Sequence, residues 1–69
     1  KIVFEGLPAN TTIRVYDISG SLIRCIENVG AVYEWDVKDS HSKNVDSGVY
    51  IYVVTYNDEK KTGKLAIVR

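Results

Sequence analysis

Glu34 and Asp36 come closest, among the residues of this sequence, to a spacing suited to acid–base chemistry. They alternate with the apolar side chains of Trp35 and Val37, so they share one face of a predicted strand. Their backbones then lie roughly 6.6 Å apart, against about 5–5.5 Å between the carboxyl groups of a retaining glycosidase. One solvated strand offers no cleft that raises one pKa and leaves the other low, so an ordinary polar face is the preferred interpretation.

Oxygen ligands of the kind that calcium prefers are concentrated in the polar stretch 36–46. Calcium takes about six to eight oxygen atoms, and the candidate ligands here are Asp36, Asp39, Asn44 and Asp46. The spacing of an EF-hand, with its central Gly and terminal Glu, is absent from this stretch. A solvated turn whose side chains bond the local backbone is therefore the favoured interpretation, with calcium as the alternative.

The sequence contains few residues that could form a nucleophilic site or a zinc site. His41 is the one imidazole and lies in a polar loop, and Cys25, the one cysteine, is predicted to be a small buried strand residue. There is no G-x-S-x-G turn and no glycine-rich phosphate loop, because the five glycines are scattered singly. One His and one Cys do not make a zinc site without carboxylates converging on them. We therefore expect no catalytic residue, no enzyme activity and no cofactor.

Length and charge narrow the classes of protein that remain. The 69 residues suffice for a single domain, residues 1–69, and 45% of them are hydrophobic, as in a folded domain. Lys and Arg together number nine, as do Asp and Glu, so the chain lacks the basic footprint of a nucleic-acid binder. No apolar run approaches the roughly 18 residues of a membrane span. The start at Lys1, without Met, indicates a fragment of a larger protein.

Val, Ile, Thr and Tyr dominate almost every segment, and turn residues recur at short intervals, which is typical of an all-β protein. Alternation predicts strands at Ile2–Glu5, Thr12–Asp17, Ser21–Glu27, Val32–Val37, Val49–Tyr56 and Lys61–Arg69, with a seventh short piece around Val45. Six or seven short antiparallel strands predict a compact Ig-like β-sandwich, with a small barrel as the alternative topology. The stretch Val49–Tyr56 is the most hydrophobic and has few outward polar residues, so it is predicted to be central.

Seven aromatic side chains either fill the core or form a binding surface. Trp35 alternates into the apolar face, and Tyr50 is similar to the corner tyrosine that anchors a loop in Ig-type sandwiches. Both are predicted core residues, together with Phe4. Three tyrosines stay open between core and surface: Tyr16, Tyr52 and Tyr56. An exposed coplanar row of aromatic rings would indicate a carbohydrate-binding module.

Basic residues gather at the C-terminal end of the chain, at Lys60, Lys61, Lys64 and Arg69. Lysines on an edge strand protect that strand against pairing with other chains. The functional alternative is a recognition tail. Pairing of the same edge with a second copy of the chain would give a homodimer.

Several short motifs occur in an order that resembles a known family. They are Leu7-Pro8, Thr12–Asp17, Trp35-Asp36, Asp46-Ser47-Gly48-Val49-Tyr50 and the closing Lys61-Thr62-Gly63-Lys64-Leu65-Ala66-Ile67-Val68-Arg69. This order resembles the type A C-terminal sorting domain of the type IX secretion system, and it is similar to the Ig-like domain of the flagellar hook-capping protein. The resemblance covers nearly the whole chain, and the closing Gly-Lys-x-x-Ile-x-Arg favours the sorting family.

The resemblance implies a non-catalytic sorting signal at the end of a larger secreted protein. Such a domain is a seven-stranded Ig-like sandwich that brings its cargo, through the periplasm, to an outer-membrane translocon of a Gram-negative bacterium. A cysteine protease then removes the domain, and the cargo is released or attached to surface lipopolysaccharide. The family's functional segments fall on Gly48, Val49 and Tyr50 and on Lys61, Gly63, Lys64 and Arg69. Ser42 departs from the family, which often has Gly at that place.

We therefore expect a secretion signal domain whose partner is the outer-membrane secretion machinery, with no direct insertion into the membrane and a secreted or cell-surface cargo. Backbone pairing at an edge strand, with charge for steering, would suffice for its recognition. The alternative is a structural or self-assembling Ig-like module, or a carbohydrate-binding module, of a cell-surface enzyme.

Overall fold

Four antiparallel strands form one sheet in the computed structural model, which describes residues 2–68. They are β1 (Ile2–Asp17), β2 (Leu22–Trp35), β3 (Gly48–Tyr56) and β4 (Glu59–Ile67), and their order in the sheet is β2-β1-β3-β4. The predicted all-β class is confirmed, and β3 is an interior strand as its hydrophobicity indicates. The prediction of six or seven separate strands is not confirmed, since four strands are found within the described residues.

The difference in strand number arises because two predicted loops are irregular stretches inside long strands. The predicted loop after Glu5 lies within β1, where the pairing with β2 shifts register between Glu5 and Ile13. Gly6 and Asn10 adopt positive φ angles of 67° and 60° there, and Thr11 is fully buried with its hydroxyl donating to the Pro8 carbonyl at 2.6 Å. Such bulges bend a strand without ending it, so turn residues mark the bend correctly although the pairing continues.

The bend brings the first half of β1 against β3, with which it does not pair. The ring of Phe4 lies edge-on to the ring of Tyr52, with a centroid distance of 5.4 Å and an interplanar angle of 76°. The core therefore draws on both halves of the β1–β2 hairpin as well as on the other strands. Its buried members are Phe4, Ile13, Val15, Ile26, Trp35, Val37, Val45, Tyr50, Val54 and Ile67, which confirms the predicted burial of Phe4, Trp35 and Tyr50.

Two tight turns set the register of the strands. The Asp17 carboxylate accepts hydrogen bonds from the Ser19 hydroxyl at 2.7 Å and from the backbone N–H groups of Ser19 and Ser21 at 3.0 and 2.9 Å. These bonds, the Ser19 hydroxyl first, hold the pKa of Asp17 below its ordinary value. Asn57 and Asp58, with φ angles of 46° and 63°, close the β3–β4 hairpin as a two-residue turn.

Residues 37–46, which we call the strap, connect the edge strand β2 to the interior strand β3. Val37 and Val45 anchor its two ends in the core, and the Val45 N–H donates to the Val37 carbonyl at 3.1 Å. Lys38 and Asn44 form an isolated antiparallel bridge, which is the brief extended piece predicted near Val45. Val37 has a φ of 62°, a conformation that β-branched residues avoid, and burial at both ends holds it there.

Candidate recognition surface

Tyr50 joins the strap to the start of β3. Its ring is buried, and its hydroxyl donates to the Asp46 carbonyl, four residues upstream, at 2.7 Å. This is the arrangement of a corner tyrosine, as the sequence predicts. Val49, its neighbour in the same motif, points to the other side of β3 and is 48% exposed. The Gly48-Val49-Tyr50 motif thus contributes one structural anchor and one surface residue.

The strap covers the outer edge of β2. The Ser40 N–H donates to the Ile23 carbonyl at 3.1 Å, so a backbone acceptor on that edge is already satisfied. The Asp39 carboxylate shapes the turn by accepting the N–H groups of His41 and Lys43 at 2.8 and 3.0 Å. The Lys43 N–H is the foremost of the bonds that hold the pKa of Asp39 below its ordinary value.

Arg24 fastens the strap to β2, a role that sequence reasoning missed. Its guanidinium donates to the Lys38 carbonyl at 3.2 Å and lies 3.6 Å from the Asp36 carboxylate. The indole N–H of Trp35 donates to the same Lys38 carbonyl at 3.0 Å. The available signal was an arginine inside the predicted strand Ser21–Glu27, in which apolar residues fall on both faces.

Of the four calcium candidates, Asp36 immediately precedes the strap, and Asp39, Asn44 and Asp46 line one small cleft at the start of β3. Asp36 faces Arg24 and accepts the Lys38 N–H, and Asp39 holds the turn described above. Asn44 lies in the bridge with Lys38, and Asp46 accepts the Tyr50 hydroxyl through its backbone carbonyl. Within residues 2–68, no group of three or more His, Cys, Asp or Glu side chains is placed to hold a metal ion. These contacts are those of a solvated turn.

Cys25 was considered above as a nucleophile, and Glu34 as one member of an acid–base pair. Cys25 is half-exposed rather than buried, and its Sγ lies 4.0 Å from a Glu27 carboxylate oxygen, at the limit of a weak hydrogen bond. Glu34 is exposed on the second half of β2, opposite Val3 of β1. Cys25 lines a half-open cleft together with Leu22 and the strap residues Ser40 and Ser42. Glu34 is not among the residues that line the clefts described within residues 2–68.

β4 is the other outer strand of the sheet, and it pairs with β3. In a hairpin with a two-residue turn, the pair that flanks the turn is hydrogen-bonded, and pairs alternate from there. Counting from the Tyr56–Glu59 pair, the residues whose N–H and C=O groups point away from β3 are Lys60, Thr62, Lys64 and Ala66. We call this row of backbone groups the open edge.

Gly63 of β4 lies beneath the aromatic ring of Tyr52 from β3. It is the partner of Tyr52 in the pairing, and a Cβ at Gly63 would stand 2.3 Å from both Cζ and Oη of that tyrosine. Only a residue without a side chain lets the Tyr52 ring lie flat across β4 and reach Phe4. Gly63 therefore has a packing role beside the role that the resemblance implies.

The remaining predicted recognition residues are divided between the two faces of β4. Lys61 lies on the Gly63 side, at the rim of a half-open cleft of about 430 Å³ that Phe4, Pro8 and Tyr56 also line. Lys64 is exposed on the opposite side, level with Ile51. Arg69 is outside the described residues.

The tyrosines left open by the sequence do not share one surface. Tyr52 and Tyr56 lie on the core side of β3, where Tyr52 packs against Phe4. Tyr16 pairs with Ile51 and so projects from the opposite side of the sheet. These three rings do not form the coplanar row that a carbohydrate-binding surface would require.

The chain is a small all-β domain with one covered sheet edge and one open, lysine-bearing edge. Residues 2–68 match the family of type IX secretion signal domains, and the chain belongs to that family. It is thus a sorting signal of type IX secretion, and membership of this family implies an interaction with that machinery and a secreted or cell-surface cargo protein of Bacteroidetes. The comparison with curated proteins gives no match.

One solved structure of similar fold comes from the same secretion system. It is PorZ, an essential bacterial surface component of the type-IX secretion system of Porphyromonas gingivalis, with 26% sequence identity and a TM-score of 0.81. The match covers 97% of this chain and 9% of the PorZ chain, so the chain spans a small part of that protein's length. From Ile2 to Val68, no helix is long and apolar enough to cross a membrane.

Proposed function

We propose that this domain is read by the type IX secretion machinery through the open edge of β4, without any chemistry of its own. The observation that carries the proposal is the contrast between the two sheet edges. The strap occupies the Ile23 carbonyl on β2, whereas Lys60, Thr62 and Lys64 present unpaired backbone groups on β4. A receptor segment added to β4 would gain main-chain hydrogen bonds, as in β-strand addition.

Lysines decide which strands the open edge accepts. Lys60 and Lys64 are exposed and flank Thr62, so a neutral or basic strand that approaches this edge gains nothing from their charge. A strand with carboxylates at the matching positions is steered in and fixed in register. The same charges oppose a homodimer through β4, because the pairing of two such edges brings lysines together.

The wider setting belongs to the same proposal. We place the domain, residues 1–69, at the C-terminus of a larger exported protein that passes through the periplasm and the outer membrane of a Gram-negative bacterium. What supports an Ig-like sandwich is the bent β1–β2 hairpin, whose Phe4 packs on Tyr52 across the core. The proposal includes no catalysis, no nucleic-acid binding and no insertion into the membrane.

A second candidate is a permanent structural domain of a cell-surface protein. The similarity to part of PorZ favours it, because PorZ is itself a bacterial surface component. The two candidates differ in the fate of the domain. A secreted parent protein that is lighter by this whole domain supports a removable signal, and one that retains the domain supports the structural module.

The decisive experiment fuses residues 1–69 to a periplasmic reporter in a bacterium with a type IX system. We expect the fusion outside the cell and the Thr62→Pro variant trapped inside, because proline removes an outward N–H and leaves the pairing with β3 intact. The Thr62→Ala variant keeps that N–H and is the matched control. Circular dichroism checks that both variants fold.

Retention of the unaltered fusion inside the cell would contradict the sorting function itself. If Thr62→Pro is exported as well as Thr62→Ala, recognition through the open edge is contradicted, but the sorting function is not. The two proposals therefore fail in different ways.

A further inference from the structure

One face of the sheet lies outside the core and combines apolar with basic side chains. Directly paired residues project from the same side of an antiparallel sheet, so the register defines continuous rows. One row runs Leu22–Tyr16–Ile51–Lys64, and the next runs Cys25–Arg14–Val53–Thr62. We call the side of the sheet that carries these two rows, with Val49, Ala66 and Lys60 beside them, the outer face.

Several large apolar side chains of the outer face are not buried in the core. Leu22 is 54% exposed and Val49 is 48% exposed, while Ile51 and Val53 are half-buried by their neighbours in the sheet. None of these four belongs to the core cluster or to the hydrophobic residues packed against it within residues 2–68. The apolar outward positions of Val49–Tyr56, a stretch whose hydrophobicity predicts a central strand, thus lie outside the core.

Charge is distributed unevenly over a chain that is neutral as a whole. Arg14 from β1 and Lys60 and Lys64 from β4 bring three cations to the outer face. In the paired segments of β1, β3 and β4, no outward position holds a carboxylate, and Glu27 lies at the β2 margin beside Cys25. The nine acidic residues that balance the nine basic ones therefore lie mainly elsewhere in the molecule.

The dimensions of the outer face fit a brief contact. Four strands about 4.8 Å apart and some six residues along each give a patch of roughly 400 Å². It is about half of what each partner buries in a stable complex, which suits a handover between components of a secretion route.

We infer that the outer face is a second docking surface, for an acidic protein surface of the secretion machinery in which a few apolar side chains are surrounded by carboxylates. The inference rests on the proposed function, since that function supplies the partner. Like charges on Arg14, Lys60 and Lys64 disfavour a second copy of this chain. Although Leu22 and Val49 are exposed, the three cations of the outer face are fewer than the cluster of about four to eight Lys or Arg residues that a lipid-binding surface presents.

Photocrosslinking in the exporting cell tests this contact directly. The probe is p-benzoylphenylalanine in place of Val49 in the reporter fusion. The control carries it in place of Val32 on the second half of β2, whose exposure of 56% is close to the 48% of Val49. We expect a crosslink to a protein from position 49 and none to that protein from position 32. Mass spectrometry of the crosslinked peptide reports whether Asp and Glu surround the contact.

Charge reversal supplies the functional readout. The double variant Arg14→Glu/Lys64→Glu is expected to lower the crosslink yield and the exported fraction by about tenfold, because its carboxylates meet those of the partner. Lys38→Glu/Lys43→Glu makes the same change in net charge on the strap and is expected to export normally. Arg14→Gln/Lys64→Gln gives a milder loss, and equal thermal midpoints exclude misfolding.

Equal export of the charge-reversed fusion and its strap control would overturn the docking surface while leaving the sorting function intact. A crosslink to lipid alone from position 49 would likewise overturn it and indicate a membrane contact. Failure of the unaltered fusion to leave the cell would instead overturn the proposed function on which the inference rests.

Discussion

The two edge strands of the sheet, β2 and β4, differ in whether their outward backbone groups are covered. On β2, the strap supplies the Ser40 N–H to the Ile23 carbonyl, and Arg24 binds the strap from below. On β4, lysines stand beside backbone groups for which the sheet itself provides no partner strand. Both devices prevent indiscriminate pairing, but only the second leaves the strand available to a chosen partner. The contrast therefore gives the molecule one direction in which another strand can be added.

Breaking the packing beneath the open edge has the largest expected effect. In Gly63→Ala, the new methyl group overlaps the Tyr52 ring, and the free energy of unfolding falls by about 1–3 kcal/mol, as for other overpacked sites. Urea denaturation measures this loss. In Gly63→Ala/Tyr52→Leu the overlap is removed, so adding the alanine to Tyr52→Leu is expected to cost much less. Additive losses would show that the ring contact is not the reason for the glycine.

Loosening the covered edge from the β3 side has a smaller expected effect. Tyr50→Phe deletes the hydroxyl that donates to the Asp46 carbonyl and leaves the buried ring in place. The free energy of unfolding is expected to fall by about 1 kcal/mol, the typical contribution of one such hydrogen bond. Thermal and urea unfolding measure it, with Tyr56→Phe as the control. An unchanged stability would contradict the corner role of Tyr50.

Removal of the Asp39 carboxylate sharpens the comparison without unfolding the domain. Asp39→Ala leaves the His41 and Lys43 N–H groups without their acceptor, so the strap opens more often over β2. We expect faster hydrogen exchange at Ser40, whose N–H is bonded to Ile23, and unchanged exchange along the β3–β4 hairpin. Equal exchange at Ser40 in the parent and variant chains would show that Asp39 does not hold the strap closed.

Acid is expected to act on the same contacts with the smallest effect. The hydrogen bonds to Asp17 and Asp39 hold their pKa values in the folded chain below the ordinary value of 3.8. Their contribution to stability is therefore complete above that value and is lost as the pH falls through the lowered pKa of each carboxyl group. Unfolding midpoints measured between pH 7 and 2 should decline more gently in Asp39→Asn than in the parent chain. Parallel curves would exclude Asp39 from this dependence.

Short-range features of the fold were readable from the sequence because they depend on neighbouring residues. Alternation located the extended segments, and Asp17 and Asn57 marked turns whose hydrogen bonds or φ angles are formed locally. The burial of Trp35 and the loop contact of Tyr50 also followed from pattern and motif. The count of strands did not follow, because a positive φ at Gly6 or Asn10 produces either a loop or a bulge, and the partner strand decides which.

The candidate site divides along the same line. The sequence by itself determined which residues carry the family motifs, that the closing segment is basic, and that the segments are extended strands. Only the tertiary structure decided that Gly63 lies beneath Tyr52, that β2 is covered while β4 is open, and that Arg14 and Lys64 share a face. The physical reason is that these features depend on the register between strands distant in sequence. The composition gives equal numbers of basic and acidic residues, and it does not reveal how the pairing of strands separates these charges in space.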